Sequence, residues 1–320
     1  MAHDPVKVLF ITGWDRSGST LLDLLLNGVD GFFPVGELHY LWQRGLMEGR
    51  LCGCGEPLSS CIVWPRILEG VYGGMPGRAE AEAGMRMKAK RLRVRQTWHI
   101  LRDGGRDLEW YPSLLGSLYR EISRVSGARV VVDSSKRPSQ AAVLTLLPGV
   151  QPYFLHLVRD PRAVAYSMSR RPKPEPDTDY PSAMRQQGPA KSTMGWVVLN
   201  VAAERVQREV PRERWMFLRY EDLVAHPQDV IRWIVQVVGE DGMTDAFIDE
   251  TTAIVETNHT VSGNPIRFTH GKIEIRLDDE WILKQSLFDR SVSTALALPL
   301  MRRYDYGLGV PEDRIEGSFP

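Results

Sequence analysis

Gly13-Trp14-Asp15-Arg16-Ser17-Gly18-Ser19-Thr20 follows directly on the apolar run Val6–Thr12 and opens a leucine-rich segment. A short β-branched run, a polar loop bounded by glycines and an apolar helical pattern read together as strand, loop and helix. Set against the phosphate-loop pattern G-x-x-x-x-G-K-[ST], the stretch matches at Gly13, Gly18 and Thr20 and departs at Ser19, where the lysine belongs. Backbone N–H groups in such a loop, and the start of the helix behind it, still form a cradle for an anion. What is lost is the lysine that reaches a β- or γ-phosphate. The basic side chain lies inside the loop instead, as Arg16. Its planar guanidinium suits bidentate contact with one phosphate or sulfate group, and Ser19 and Thr20 add donors.

Working outward, three further runs read as buried strands: Arg129–Asp133, Tyr153–Val158 and Trp215–Tyr220, with a weaker one at Gly31–Val35. Each leads into polar residues and then a helical pattern, so the expected fold is α/β, a P-loop-like parallel sheet of about four to five strands flanked by helices. Ligands of such sheets bind beyond the carboxyl ends of the strands. Residues 38–126 carry little β character and read as a helical insertion within one domain spanning 1–320. Its expected helices are Leu38–Arg50, Ile62–Tyr72, Arg78–Leu101 and Tyr111–Ser126, the third with Met87, Val94, Trp98 and Leu101 on one face. Six Lys or Arg between Arg86 and Arg95 read as a solvated helix surface. Arg171–Pro189, with five prolines, reads as a loop.

Lys plus Arg and Asp plus Glu balance at 40 each, so no global field draws in nucleic acid or a membrane surface, and an anionic ligand must be held by local charge. No apolar run is long enough to span a bilayer. Asp15 and Arg16 interrupt the first apolar run and no cleavage site follows, so the expected setting is soluble and cytoplasmic. Three cysteines, Cys52, Cys54 and Cys61, lie in one short segment. An odd count without a leader argues against a disulfide framework. A closed zinc site wants four ligands, and the nearest candidate for a fourth, His39, lies well upstream. The cysteines therefore read as small buried residues in a turn-rich insertion, with no metal.

A second basic site follows the strand Tyr153–Val158, in Arg159-Asp160-Pro161-Arg162-Ala163-Val164-Ala165-Tyr166-Ser167. Pro161 suits the first helical position with Asp160 as its cap. Arg159 then sits at the strand's carboxyl end, Ser167 lies two turns along the helix, and Arg162 reads as a solvated charge. Here the chain resembles the PAPS-dependent sulfotransferases, whose donor is 3′-phosphoadenosine 5′-phosphosulfate (PAPS). Arg16-Ser17-Gly18-Ser19-Thr20 is similar to their 5′-phosphosulfate loop, and Arg159 with Ser167 to their 3′-phosphate pair. Arg219-Tyr220-Glu221-Asp222-Leu223 and Ser262-Gly263-Asn264-Pro265-Ile266-Arg267, with Trp281 following, resemble further family segments in the family's order. The likeness is nearer to the carbohydrate and tyrosylprotein type than to the cytosolic type.

The resemblance implies transfer of a sulfuryl group from PAPS to a hydroxyl, with adenosine 3′,5′-bisphosphate as product and no metal. It places Arg16, Ser17, Gly18, Ser19 and Thr20 at the 5′ end, Arg159, Ser167 and Arg267 at the 3′-phosphate, and Tyr220 against the adenine. Such transfer needs in-line placement, cations on the leaving side and a base for the nucleophile. Arg16 and Lys136, the latter in Val132-Asp133-Ser134-Ser135-Lys136, are the candidate cations, with Asp133 and Ser134 as orienting groups or helix caps. Glu37 resembles the base of protein-tyrosine sulfotransferases, and His39, His156 and His259 are the alternatives because cytosolic members use a histidine. The acceptor is open among carbohydrate, lipid, natural-product phenol and peptide tyrosine, since acceptor pockets come from variable insertions. Two rival readings are a P-loop-like small-molecule kinase or NTPase, with Asp133 as its nearest Mg²⁺ ligand, and a non-catalytic nucleotide-binding module.

Overall fold

Five short apolar runs hydrogen-bond into one parallel sheet: β1 (Val6–Thr12), β2 (Phe32–Gly36), β3 (Val130–Lys136), β4 (Val150–Val158) and β5 (Trp215–Arg219), in the order β2-β3-β1-β4-β5. This is a computed structural model that describes residues 4–170, 186–242, 244 and 246–309. The central strand is sealed on both faces, Val8, Leu9, Phe10 and Ile11 having no exposure, as a parallel strand covered by helices requires. Side chains alternate between two cores. Val8, Phe10, Val131 and Phe154 pack with the insertion, while Leu9, Ile11, Val130, Val132 and Leu155 pack on the opposite face.

Helix α1 (Ser19–Leu26) follows the glycine loop, and the insertion supplies α2 (Trp64–Tyr72), α3 (Arg78–Arg91), α4 (Thr97–Asp103) and α5 (Tyr111–Ser126). Then come α6 (Pro138–Leu144), α7 (Pro161–Ser169), α8 (Pro189–Gln207), α9 (Tyr220–Ala225) and α10 (Pro227–Val237). A hairpin of β6 (Thr252–Val255) and β7 (Gly271–Glu274) precedes α11 (Glu280–Lys284) and α12 (Leu287–Arg303). Proline opens α6, α7, α8 and α10, where its missing N–H would have had no helical partner. Among the described residues, no helix is long and apolar enough to cross a membrane.

The insertion departs from its expected helices in two places. Leu38–Arg50 is a 3₁₀ turn (Leu38–Tyr40) followed by a π-helical segment (Leu41–Met47), and the wider turn sets the Arg44 guanidinium 3.4 Å over the Tyr40 ring. The long helix expected over Arg78–Leu101 is broken at Leu92, whose carbonyl accepts from the Ser139 hydroxyl at 2.8 Å instead of continuing a ladder. Met87 therefore lies on α3, Val94 in a 3₁₀ turn, and Trp98 and Leu101 on α4. The basic stretch is only partly a solvated face, because Lys88 turns inward onto the His39 carbonyl and the Tyr40 ring. Of the expected proline loop, 171–185 lies outside the described residues, and Pro189 already opens α8.

Candidate active site

The glycine loop joins β1 to α1 at the carboxyl edge of the sheet, beside the strands on which it depends. Two glycines are dictated by close approach. A Cβ on Gly13 would lie 2.1 Å from the Leu157 carbonyl oxygen, and one on Gly18, at φ +91°, would lie 2.4 Å from the Tyr220 ring. Between them Arg16 holds a left-handed backbone at φ +69°. Beyond this edge opens a cleft of about 860 Å³, lined among others by Arg16, Gly18, Ser19, Thr20, Glu37, Lys136, Arg159, Ser167 and Tyr220. Nine residues singled out in the sequence from five separate segments thus share one cavity. Ser17, within the same loop, is buried and does not line the cavity.

At one end of the cleft stand Glu37 and Lys136. β3 runs past the expected Asp133 to Lys136, and the pairing with β1 slips so that Thr12 meets Lys136. Lys136 also holds a left-handed backbone, at φ +66°. That turn carries Nζ to Glu37 Oε1 and to within 3.4 Å of Ser19 Oγ in the loop. Glu37 Oε2 accepts from Arg44 at 2.9 Å and from Ser262 at 3.1 Å. Gly36, just before it, runs at φ +67°, where a Cβ would lie 2.5 Å from the Ser262 carbonyl oxygen. Burial by itself would raise the Glu37 pKa, but Lys136 and Arg44 more than offset it and hold the carboxyl below the usual range. Glu37 is therefore ionised at neutral pH.

Across the cleft, Arg159 leaves the end of β4 and donates to the Arg16 carbonyl at 3.2 Å, so the two guanidinium-bearing segments touch. It also pairs with Asp278 at 3.0 Å and lies 4.4 Å over the Tyr220 ring. Burial lowers the Arg16 pKa; Asp15 opposes this, and the cations Arg159 and Arg170 add to it, a crowding that a bound anion would relieve. Ser167 faces the same space from α7. Below them Asp160 caps α7, accepting from the Arg162 N–H at 2.8 Å. Arg162 is not the solvated charge expected from the sequence. It is 1% exposed, forks onto Asp160 at 2.6 and 3.0 Å, and donates to the carbonyls of Gly307, Leu308 and Gly309. A cap carboxylate two residues back and three free carbonyls give a buried guanidinium the partners that burial demands.

Arg267 also stands apart from the expected set. Its buried guanidinium donates to the carbonyls of Thr260 at 2.9 Å and Leu51 at 3.0 Å, tying the insertion to the Ser262–Arg267 segment, and it does not line the cleft. The neighbouring Asn264 N–H donates to Thr20 Oγ1 at 3.1 Å. None of the three histidines lines the cleft. His39 Nδ1 meets Gln140 at 3.2 Å, and burial, then Lys88, pushes its pKa well down. His156 meets Asn200 at 2.8 Å inside an aromatic cluster, and His259 faces the cysteines. Asp133, the nearest Mg²⁺ ligand of the NTPase reading, is fully buried and accepts from the Tyr119 hydroxyl at 2.6 Å and the Ser135 N–H at 2.8 Å. It holds Ser135, not the cavity.

Four arginines of the cleft lining went unmarked in the sequence: Arg44, Arg50, Arg137 and Arg276. Arg44 and Arg137 both line the cleft, with Tyr40 between them as Arg137 reaches its hydroxyl at 3.4 Å. The signal for Arg137 was its place directly after Lys136. Arg44 depends on the π-turn, which no helical periodicity describes.

Behind the loop, Asp23 of α1 accepts from the Ser134 hydroxyl at 2.6 Å, and burial raises its pKa to about 7. A carboxyl kept protonated by the fold binds more protons folded than unfolded. Its stabilising share is complete below the ordinary carboxylate range and is lost as pH rises to about 7. Urea melts at pH 5 and pH 8 should show wild type losing stability relative to Asp23→Asn, with a slope of up to about 1.4 kcal/mol per pH unit in that window. Parallel curves for the two proteins would mean that Asp23 is ionised in the fold.

Residues 9–245 match the sequence profile of the sulfotransferase family. A search of the curated proteins finds no match. Among solved structures, the chain is similar to the sulfotransferase domain of the olefin synthase from Synechococcus PCC 7002, at 22% identity and a TM-score of 0.53, covering 93% of this chain and 95% of that one. It is likewise similar to the sulfotransferase domain from the curacin biosynthetic pathway, at 20% identity and a TM-score of 0.55, covering 96% and 100%. These two likenesses concern the fold. The profile spans most of the chain and takes in the glycine loop, Glu37, Lys136 and Arg159, so the cation-crowded cleft at the sheet edge belongs to a member of the sulfotransferase family, an enzyme of sulfuryl transfer.

Proposed function

We propose that the donor is PAPS and that transfer to an acceptor hydroxyl proceeds by in-line displacement in this cleft. The observation that carries the reading is the contact of Arg159 with the Arg16 carbonyl inside one cavity whose far end holds Lys136 and Glu37. A nucleotide bearing phosphate at both its 3′ and 5′ positions needs two separated cationic groups on one wall. Arg159 and Ser167 suit the 3′-phosphate, and Tyr220 offers a ring face for the base. Arg16, the loop N–H groups, Ser19, Thr20 and Lys136 suit the phosphosulfate. Ser17 is buried in the loop and leaves the contacts to its neighbours.

In the transfer, the acceptor oxygen forms a bond to sulfur as the bond from sulfur to the 5′-phosphate oxygen breaks, leaving adenosine 3′,5′-bisphosphate. Charge gathers on that phosphate, where Lys136 and Arg16 stabilise it. The acceptor proton passes to Glu37. A carboxylate tied to two cations is a weak base, but Lys136 cannot serve Glu37 and the leaving phosphate equally. As it turns to the phosphate, Glu37 gains basicity when the proton must move.

Calorimetry with adenosine 3′,5′-bisphosphate and with ADP, each with and without Mg²⁺, tests the reading. Binding of the bisphosphate should be independent of Mg²⁺ and at least about 100-fold tighter than that of ADP, the equivalent of roughly 3 kcal/mol in charge-assisted contacts to the 3′-phosphate. A preference for ADP that needs Mg²⁺ would overturn it.

A further inference from the structure

We propose that Cys52, Cys54, Cys61 and His259 form a closed, tetrahedral site for one zinc ion that clips the insertion to the segment flooring the active-site cleft. The sequence offers three thiols and hides the fourth ligand, because His259 stands 198 residues from Cys61. Folding brings them together, and the four ligand atoms all lie within 4.8 Å of one another. Cys61 Sγ is 3.2 Å from His259 Nδ1, Cys52 Sγ is 3.8 Å from the same nitrogen, and the two sulfurs are 3.7 Å apart. A tetrahedron with Zn–S of about 2.3 Å and Zn–N of about 2.0 Å has edges of about 3.5 to 3.8 Å. The sulfur pair is far too open for a disulfide, and all three cysteines are free.

Backbone donors surround the sulfurs. Each sulfur faces the backbone N–H two residues on: Cys54 for Cys52, Glu56 for Cys54, and Val63 for Cys61 at 3.5 Å. Such donors orient metal-bound sulfur and spread its charge. The imidazole is fixed as well. The Phe33 ring stacks on it at 6.1 Å, and the Trp64 indole N–H holds the His259 carbonyl at 2.8 Å. The turn carrying Cys52 and Cys54 is seated on the same strand of chain by Gly53, whose N–H donates to the Thr260 carbonyl at 2.9 Å. A Cβ on Gly53 would lie 1.9 Å from Asn258 Oδ1, so only glycine allows the approach. Three sulfurs and one imidazole nitrogen, with no oxygen donor among them, select zinc over calcium or magnesium.

Binding releases the three thiol protons to solvent and leaves the site with one net negative charge. All four positions are filled by protein, so the ion is structural. Its reach is nonetheless functional, because the residues just after His259 include Ser262, bound to Glu37, and Asn264, bound to Thr20.

The test uses the whole chain, produced with zinc in the medium and kept reduced. Elemental analysis should find about one zinc per chain. Exchange for Co²⁺ should give the thiolate charge-transfer and visible bands of tetrahedral cobalt. Cys54→Ser, at the least buried of the sulfurs, should retain less than roughly one tenth of an equivalent. Should that variant fail to fold, iodoacetamide footprinting of wild type decides, with the three cysteines expected to resist alkylation until a chelator strips the ion. Wild type without zinc or cobalt bands, alkylation indifferent to the chelator, or a folded Cys54→Ser with a full complement would each overturn the site. None of these readouts uses sulfuryl transfer, so their failure leaves the proposed activity standing.

Discussion

Arg159→Ala should abolish detectable transfer and erase the preference of the protein for adenosine 3′,5′-bisphosphate over AMP. The side chain is 6% exposed and its charge is shared between Asp278 and the Arg16 carbonyl, so its removal does more than delete one cation. Asp278 is left facing the cavity without its partner, and an incoming phosphate would meet a bare carboxylate. Loss of two charge-assisted hydrogen bonds together with that repulsion implies at least about 3 kcal/mol, or more than 100-fold in affinity. Arg16→Ala should also abolish transfer, with a different signature in calorimetry. It should weaken the bisphosphate and AMP alike, because both carry the 5′-phosphate assigned to the loop. If Arg159→Ala binds both nucleotides as wild type does, the two-ended donor site is wrong.

Glu37→Gln should lower kcat by about 10²- to 10⁴-fold, the usual range for a lost general base, while bisphosphate affinity stays within about threefold. The amide keeps an oxygen for Arg44 and Ser262, so the wall of the cleft survives. It loses the negative charge that holds Lys136, and the freed ammonium then lies nearer to the phosphosulfate, which is why the nucleotide should bind no worse. A fall in kcat with intact binding is the mark of a group acting only in the reaction. Normal turnover would remove Glu37 as the base. The three candidate histidines, His39, His156 and His259, each have partners outside the cleft lining.

Much of the fold was readable because parallel strands buried on both faces must be continuous apolar runs, and Val6–Thr12 or Tyr153–Val158 admit few other readings. The strand ends were less so. β3 continues through Asp133, Ser134 and Ser135, polar residues whose partners Tyr119, Asp23 and the His39 N–H come from elsewhere in the chain. In the site, residues attached to a strand end or a glycine loop were legible, since local geometry alone aims them at the sheet edge. Those whose place depends on tertiary partners were not. Arg44 arrives through a π-turn, Arg162 is drawn inward by carbonyls far along the chain, and Arg267 braces two loops. His259 meets its cysteines only after the chain has closed on itself.

Arg16 and Lys136 share a backbone conformation in which glycine would be at ease and a side chain is not. Such a conformation costs of order 1 kcal/mol at each position, a strain tolerated where a cation has to be aimed. At Lys136 the buried partner Glu37 outweighs that strain, so selection for heat resistance alone would drift toward glycine at Arg16 and enrich sturdier proteins that have forgotten their chemistry. Any directed-evolution campaign on this scaffold should screen turnover in every round.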